Sequence, residues 1–171
     1  MWALGFAYRE KGDHAQAIVL LERAIALLTE FGYSRLVAWL TGWLAEALLW
    51  AGHQERALTA AQESLRLSRA VGFPWAVAVA LRALGRVSAG RDDAGGAEGH
   101  LAEALADFED MACAFELAVT RLAIAELVMI RGDPVRARAE VERARAGLAE
   151  LDAPRYSERA EQMAASLPTP G

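Results

Sequence analysis

Few of the residues that could do chemistry stand where chemistry needs them. His14, His53 and His100 are the only histidines, and none has a second ligand at the spacing of a zinc or metal-hydrolase motif. The first two fall in successive turns, where a solvated imidazole is expected. Cys113 is the single cysteine, which excludes an internal disulfide and a thiolate cluster. The run from Gly90 to Gly99 superficially resembles a phosphate loop. No strand pattern precedes it, no Lys-Ser/Thr pair follows, and Asp92-Asp93 would repel phosphate. No Ser/His/Asp set or paired carboxylates stand out, so the expectation is a non-enzyme without cofactor or metal. What remains is chemistry of recognition. Trp39, Trp43 and Trp50 fall at i, i+4 and i+11 on one helical face. Glu46, Arg86 and Glu126 recur at one spacing. Indoles and guanidiniums are the side chains most enriched at binding hot spots. The same spacings also suit packing between helices and a charge ladder that fixes register.

The elements that must position these residues come from a repeat. The pattern Leu4-Gly5-x-x-Tyr8, Gly12, Ala17, Ala24 returns on adding 40 as Leu44, Ala45, Leu48, Gly52, Ala57, Ser64. It returns again as Leu84, Gly85, Ser88, Asp92, Ala97, Ala104 and as Ile124, Ala125, Val128, Gly132, Ala137, Ala144. A fixed period of this length marks stacked helical pairs. The turns repeat too: Gly12-Asp13, Gly52-His53, Asp92-Asp93 and Gly132-Asp133 are equivalent, and Gly32, Gly72, Ala112 and Asp152 open the alternate turns. Asp13 is placed to N-cap a helix, and Pro74, Pro134 and Pro154 sit where a first helical residue belongs.

The pattern predicts a short helix A1 at 1–11, B1 at 14–30, A2 at 34–51, B2 at 54–71 and A3 at 74–89. B3 follows at 94–110, A4 at 114–131, B4 at 134–151, and a last helix at 154–167. The repeats run 1–32, 33–72, 73–112 and 113–152, with 154–167 as cap and 168–171 as tail. Small residues at Gly5, Ala45, Gly85 and Ala125, and at Ala17, Ala57, Ala97 and Ala137, let the two helices of a pair approach closely. Leu21, Leu101 and Val141 fill the space between layers, and Ala61 leaves a shallower contact. Gly95, Gly96 and Gly99 each cost helix propensity, about 1 kcal/mol against Ala, so B3 is expected to fray at its start. Glu158, Arg159, Glu161 and Gln162 give the last helix a polar face, as a solvating cap should have.

Composition bounds the rest. The chain has 171 residues, 54% of them apolar, with formal net charge −5. That fits one folded domain and disfavours a general phosphate-backbone binder. No apolar run reaches membrane-spanning length and no signal peptide is apparent, so the expected compartment is the cytoplasm.

On Leu4, Gly5, Tyr8, Gly12, Ala17 and Ala24 the chain resembles a tetratricopeptide-repeat array over essentially its whole length. It departs in period, 40 residues here against about 34 in that family, and in lacking the proline that usually closes a repeat. The longer period is similar to the helical repeats of MalT-like LuxR-type regulators and of NTPase-linked, adenylate cyclase-like signalling proteins. The stretch from Phe115 to Leu127, then Arg131-Gly-Asp133 and Ala153 to Ala160, resembles the end of such a region. The resemblance implies an all-α, right-handed superhelix of four helix pairs plus a capping helix. It also implies an interaction scaffold whose A helices line a concave groove. The groove positions carried over by register are Trp2, Phe6, Arg9, Trp39, Trp43, Glu46, Trp50, Val79, Arg82, Arg86, Val119, Leu122, Glu126 and Met129. The implied partner is a protein or peptide, or a second copy docked on the first repeat, whose Trp2, Leu4 and Phe6 face a side with no preceding helix. Neither a membrane nor direct contact with nucleic acid is implied. A small-effector sensor and a stand-alone adaptor are the alternatives. With no Asn in the chain and Lys11 as its only lysine, an Asn/Lys carboxylate clamp is not expected.

Overall fold

The computed structural model describes residues 12–168. Helix A1, the groove candidates Trp2, Phe6 and Arg9, and the last three residues lie outside that range. Eight α-helices follow in order: α1 His14–Glu30, α2 Ser34–Trp50, α3 Gln54–Ala70, α4 Pro74–Ala89, α5 Ala94–Asp110, α6 Ala114–Ile130, α7 Pro134–Leu148 and α8 Pro154–Ser166. No strand occurs among the described residues. The fold is an all-helical solenoid. Each helix packs on its sequence neighbours, and α2, α4 and α6 also contact one another in succession. These three are the A helices, so they form the inner layer, with α3, α5 and α7 outside.

Burial follows that layering. Outer helix α3 buries one stripe, Ala57, Ala61, Ser64 and Ser68. Inner helix α2 buries every residue from Leu40 to Leu48, because a helix flanked on several sides has no free face. Small side chains set the distance within each pair. A Cβ placed on Gly85 would lie 2.6 Å from Cγ of Leu101 and 3.2 Å from the Ala97 carbonyl oxygen. Glycine at 85 therefore makes room for the leucine at 101.

Turn chemistry accounts for the helix ends. Gly12, Gly32, Gly52, Gly72 and Gly132 all have positive φ, and Asp92 and Ala112 adopt it at equivalent positions. After α1, the Tyr33 amide donates to the Leu28 carbonyl (2.9 Å) and the Gly32 amide to Thr29 (3.1 Å), a Schellman cap. The same pair of bonds closes α2, α3, α5 and α6. At the opposite ends, Asp13, Asp93 and Asp133 accept from the amides of Gln16, Gly96 and Arg136 at 3.0–3.1 Å. Pro74, Pro134 and Pro154 open their helices.

Two expectations need correction. B4 ends at Leu148 rather than 151. Asp152 does not take up positive φ, so the chain leaves through a tighter turn in which the Leu151 amide donates to the Leu148 carbonyl (3.0 Å). His14 is not simply solvated: it is partly buried, its ring stacked on Trp50 at 6.0 Å between centroids.

Candidate functional site

The three tryptophans of α2 divide between two jobs. Trp39 and Trp43 meet edge-to-face at 4.8 Å, and Trp75 of α4 joins them at 5.5 and 6.5 Å. Phe108 of α5 completes the cluster at 6.4 Å from Trp75. This end of the aromatic stripe is packing. Trp50 lies seven residues further on, about 10 Å along the axis, and faces a different set of groups. The Arg86 guanidinium of α4 is 4.2 Å from its ring centroid, and the Arg159 guanidinium of α8 is 4.1 Å away. Arg155 stands at 5.7 Å. Two guanidiniums thus share one indole face system, a cation–π arrangement.

Glu126 of α6 holds both cations. Arg86 Nη2 donates to Glu126 Oε2 at 3.3 Å, and Arg159 Nη2 donates to the other carboxylate oxygen. The Arg86, Arg159 and Glu126 side chains are 12%, 17% and 34% exposed. Burial pulls the Arg86 pKa down to about 10. Burial, with repulsion from Arg86, pulls Arg159 down to about 9. Both guanidiniums therefore stay charged at neutral pH.

Behind this cluster lies a second, fully enclosed one. Arg82 is 1% exposed; its Nε donates to Glu46 Oε1 at 2.7 Å and its Nη1 to Glu116 of α6. Thr120 Oγ1 stands 3.4 Å from the same Nη1. Burial alone would lower the Arg82 pKa, but the charges of Glu46 and Glu116 more than offset it and raise it above the usual value. Arg82 is thus a tie between α2, α4 and α6, with no face left for a ligand.

The predicted ladder of Glu46, Arg86 and Glu126 is therefore only half made by direct contact. Arg86 pairs with Glu126, while Glu46 bonds Arg82. Of the groove candidates, Trp43, Glu46, Val79, Arg82, Val119 and Leu122 are buried. Trp39 is half-buried within the aromatic cluster. Trp50, Arg86, Glu126 and Met129 come together at the inner surface. Arg159 corrects the sequence reading: it lies over Trp50 rather than on a solvated cap face. The repeat register pointed to it, since successive steps of 40 from Trp39 give Val79, Val119 and then Arg159. Glu116 was also missed; it has no charged equivalent in the other repeats.

A cavity of about 430 Å³ opens beside Arg86 and Glu126, its walls including Leu49, Ala89, Leu127, Met129, Ile130 and Met163. A second, of about 320 Å³, lies beyond Glu126 between Trp50, Arg155, Tyr156 and Arg159. Among the described residues no group of three or more His, Cys, Asp or Glu is placed to hold a metal ion.

Comparison with protein-family models and with curated proteins gives no match. Solved structures do match. The crystal structure of BtubC (BKLC) from P. vanneervenii aligns with a TM-score of 0.66 at 20% identity, covering 98% of this chain and 81% of that one. The apo form of RapI aligns with a TM-score of 0.68 at 19% identity, covering 94% of this chain. This chain spans 45% of the RapI chain. What it shares with both is the fold, an all-helical, repeat-like stack.

Proposed function

We propose that this chain is a non-catalytic interaction module that receives a partner segment on its inner, A-helix face. One observation carries the reading. Trp50, Arg86 and Arg159 form a partly buried aromatic–arginine cluster beside the apolar strip of Met129 and Ile130, the latter 72% exposed. Anchors of this composition dominate binding energy at interfaces. The repeat length and its resemblance support a setting in a bacterial transcriptional or signal-transduction regulator, in the cytoplasm. In keeping with that compartment, no described helix is long and apolar enough to cross a membrane.

A photo-crosslinking residue at Ile130 tests the proposal, with Val135, 81% exposed on outer helix α7, as control. Crosslinking to one defined partner from position 130 alone, lost with Arg159→Glu, supports the inner face. Equal yields from both positions sink it. Sedimentation of the same variants shows whether the partner is a second copy.

The effector reading has its own support in the cavity beside Arg86. Its volume, about 430 Å³, lies within the range of about 300–1,000 Å³ usual for small-molecule sites.

A further inference from the structure

We infer that this cavity is a binding site for a small amphiphilic organic anion, its acidic head on Arg86, at the end where Arg159 stands across Glu126, and its apolar tail against Leu49, Ala89, Met129, Ile130 and Met163. The inference goes beyond the partner reading and gives the effector reading a ligand class.

The charge count on the accessible side carries the first half. Arg86 lines the cavity and Arg159 stands on the other side of Glu126; among the described residues Glu126 is the one carboxylate that bonds them directly, and both share it. A bidentate carboxylate satisfies only part of the ten N–H donors two guanidiniums hold. Glu46 helps through its field, but it is 4% exposed and bonded to Arg82, so it offers no further acceptor to the opening. Burial depresses the pKa values of both guanidiniums, and an added anion would raise them again. A ligand carboxylate or phosphate at this point would supply the missing acceptor oxygens. Arg155, 5.7 Å from the Trp50 ring, lies within the same neighbourhood.

The walls carry the second half. Apart from Arg86, Glu126 and the Gly90 backbone, the cavity is lined by Leu, Ala, Met and Ile side chains. A small inorganic anion would leave that lining unfilled, and a neutral hydrocarbon would leave the guanidiniums unsatisfied. Two of the lining residues are methionines, whose unbranched side chains adapt to a tail of varied shape. Arg86 and Arg159 outnumber Glu126 at this end of the cavity, so a cationic head would face net positive charge.

Octanoate, octanol and octylamine share a tail and differ in head charge, which makes them the probes. Titration is read by calorimetry and by the methyl signals of isotope-labelled methionine, with Met111, the C-cap of α5 and not part of the cavity wall, as internal reference. Octanoate is expected to bind saturably and to shift Met129 and Met163 but not Met111. Octanol and octylamine should bind about tenfold more weakly or worse, the scale of a lost charged hydrogen bond. Arg86→Gln should weaken octanoate binding by a similar factor. Glu126→Gln should tighten it, because the shared carboxylate competes with the ligand for both arginines. The last variant guards against an effect of folding alone, since a purely structural ladder would lose stability with no gain in affinity. Octanol binding as tightly as octanoate would overturn the anionic class yet leave an effector site standing. No saturable shift with any of the three overturns both. Unchanged octanoate affinity in both variants removes the assigned head group.

Discussion

Ala112 holds φ at 52°, in the position that glycine fills at 32 and 72. An L-residue with a Cβ pays about 1–2 kcal/mol for the left-handed region. Ala112→Gly is therefore expected to stabilise the protein by about 1 kcal/mol, less the extra entropy of a glycine in the unfolded chain. That corresponds to a rise of about 2–4 °C in Tm, measurable by calorimetry. An unchanged or lower Tm means that the Ala112 turn relaxes its strain by other means. Arg82 stands at the opposite extreme. Substituting it by Met takes from Glu46 and Glu116 the buried guanidinium that both bond, a loss on the order of 3–5 kcal/mol. Adding Glu46→Gln and Glu116→Gln should recover much of it in denaturant titrations, since the two carboxylates that lost their partner are then neutral. If the triple variant is no better than Arg82→Met, the arginine contributes mainly by filling space.

At the scale of elements, partner sizes across each helix pair are matched. Gly85 of α4 abuts Leu101 of α5, whereas Ala45 and Ala61 occupy the corresponding places one repeat earlier, both fully buried. Gly85→Ala should cost about 1–3 kcal/mol through overpacking despite the better helix propensity of Ala. Combining it with Leu101→Ala should give a double-mutant cycle with clear coupling. Strict additivity would show that the two sites do not meet. Helix α5 carries the other element-scale expectation. It begins regularly at Ala94 with Asp93 as its cap, yet Gly95, Gly96 and Gly99 lie in its first turns. Amide exchange across 90–99 should be faster than at the other inter-helix turns, and equal protection would show that the cap outweighs the glycines. These elements were readable from the sequence because their ends rest on local chemistry. Asp13 caps, Gly32 reverses and Pro74 opens whatever the rest of the chain does. The early end of α7 was not readable in the same way, since it turns on whether Asp152 accepts the conformation that its equivalents adopt.

For the whole molecule, periodicity gave the stack of pairs but left open how far it curls. That depends on small rotations between layers, which no single residue announces. Trp50 and Arg159 lie three repeats apart in register, and only the curvature brings the guanidinium over the indole. A sequence alignment of the repeats identifies position 159 as a groove position; it cannot say that the groove is narrow enough for a side chain to reach its other wall. The division of the tryptophans has the same origin. Trp39 and Trp43 meet Trp75 on the neighbouring helix, while Trp50 looks across the inner space.

A stack in which each layer holds only its neighbours behaves as an elastic coil. The contact of Arg159 with Trp50 fastens α2 to α8 across that coil, so the rest length of the coil is set partly by a clasp. Trp50→Ala is then expected to open the coil without melting it. Small-angle scattering should report a larger radius of gyration while the helical circular-dichroism signal stays the same. An unchanged radius would mean that packing between neighbouring layers fixes the curl by itself. With the clasp in place, anything that competes for Arg159 changes the molecule's length, so binding at the inner face would be felt as a displacement of its ends.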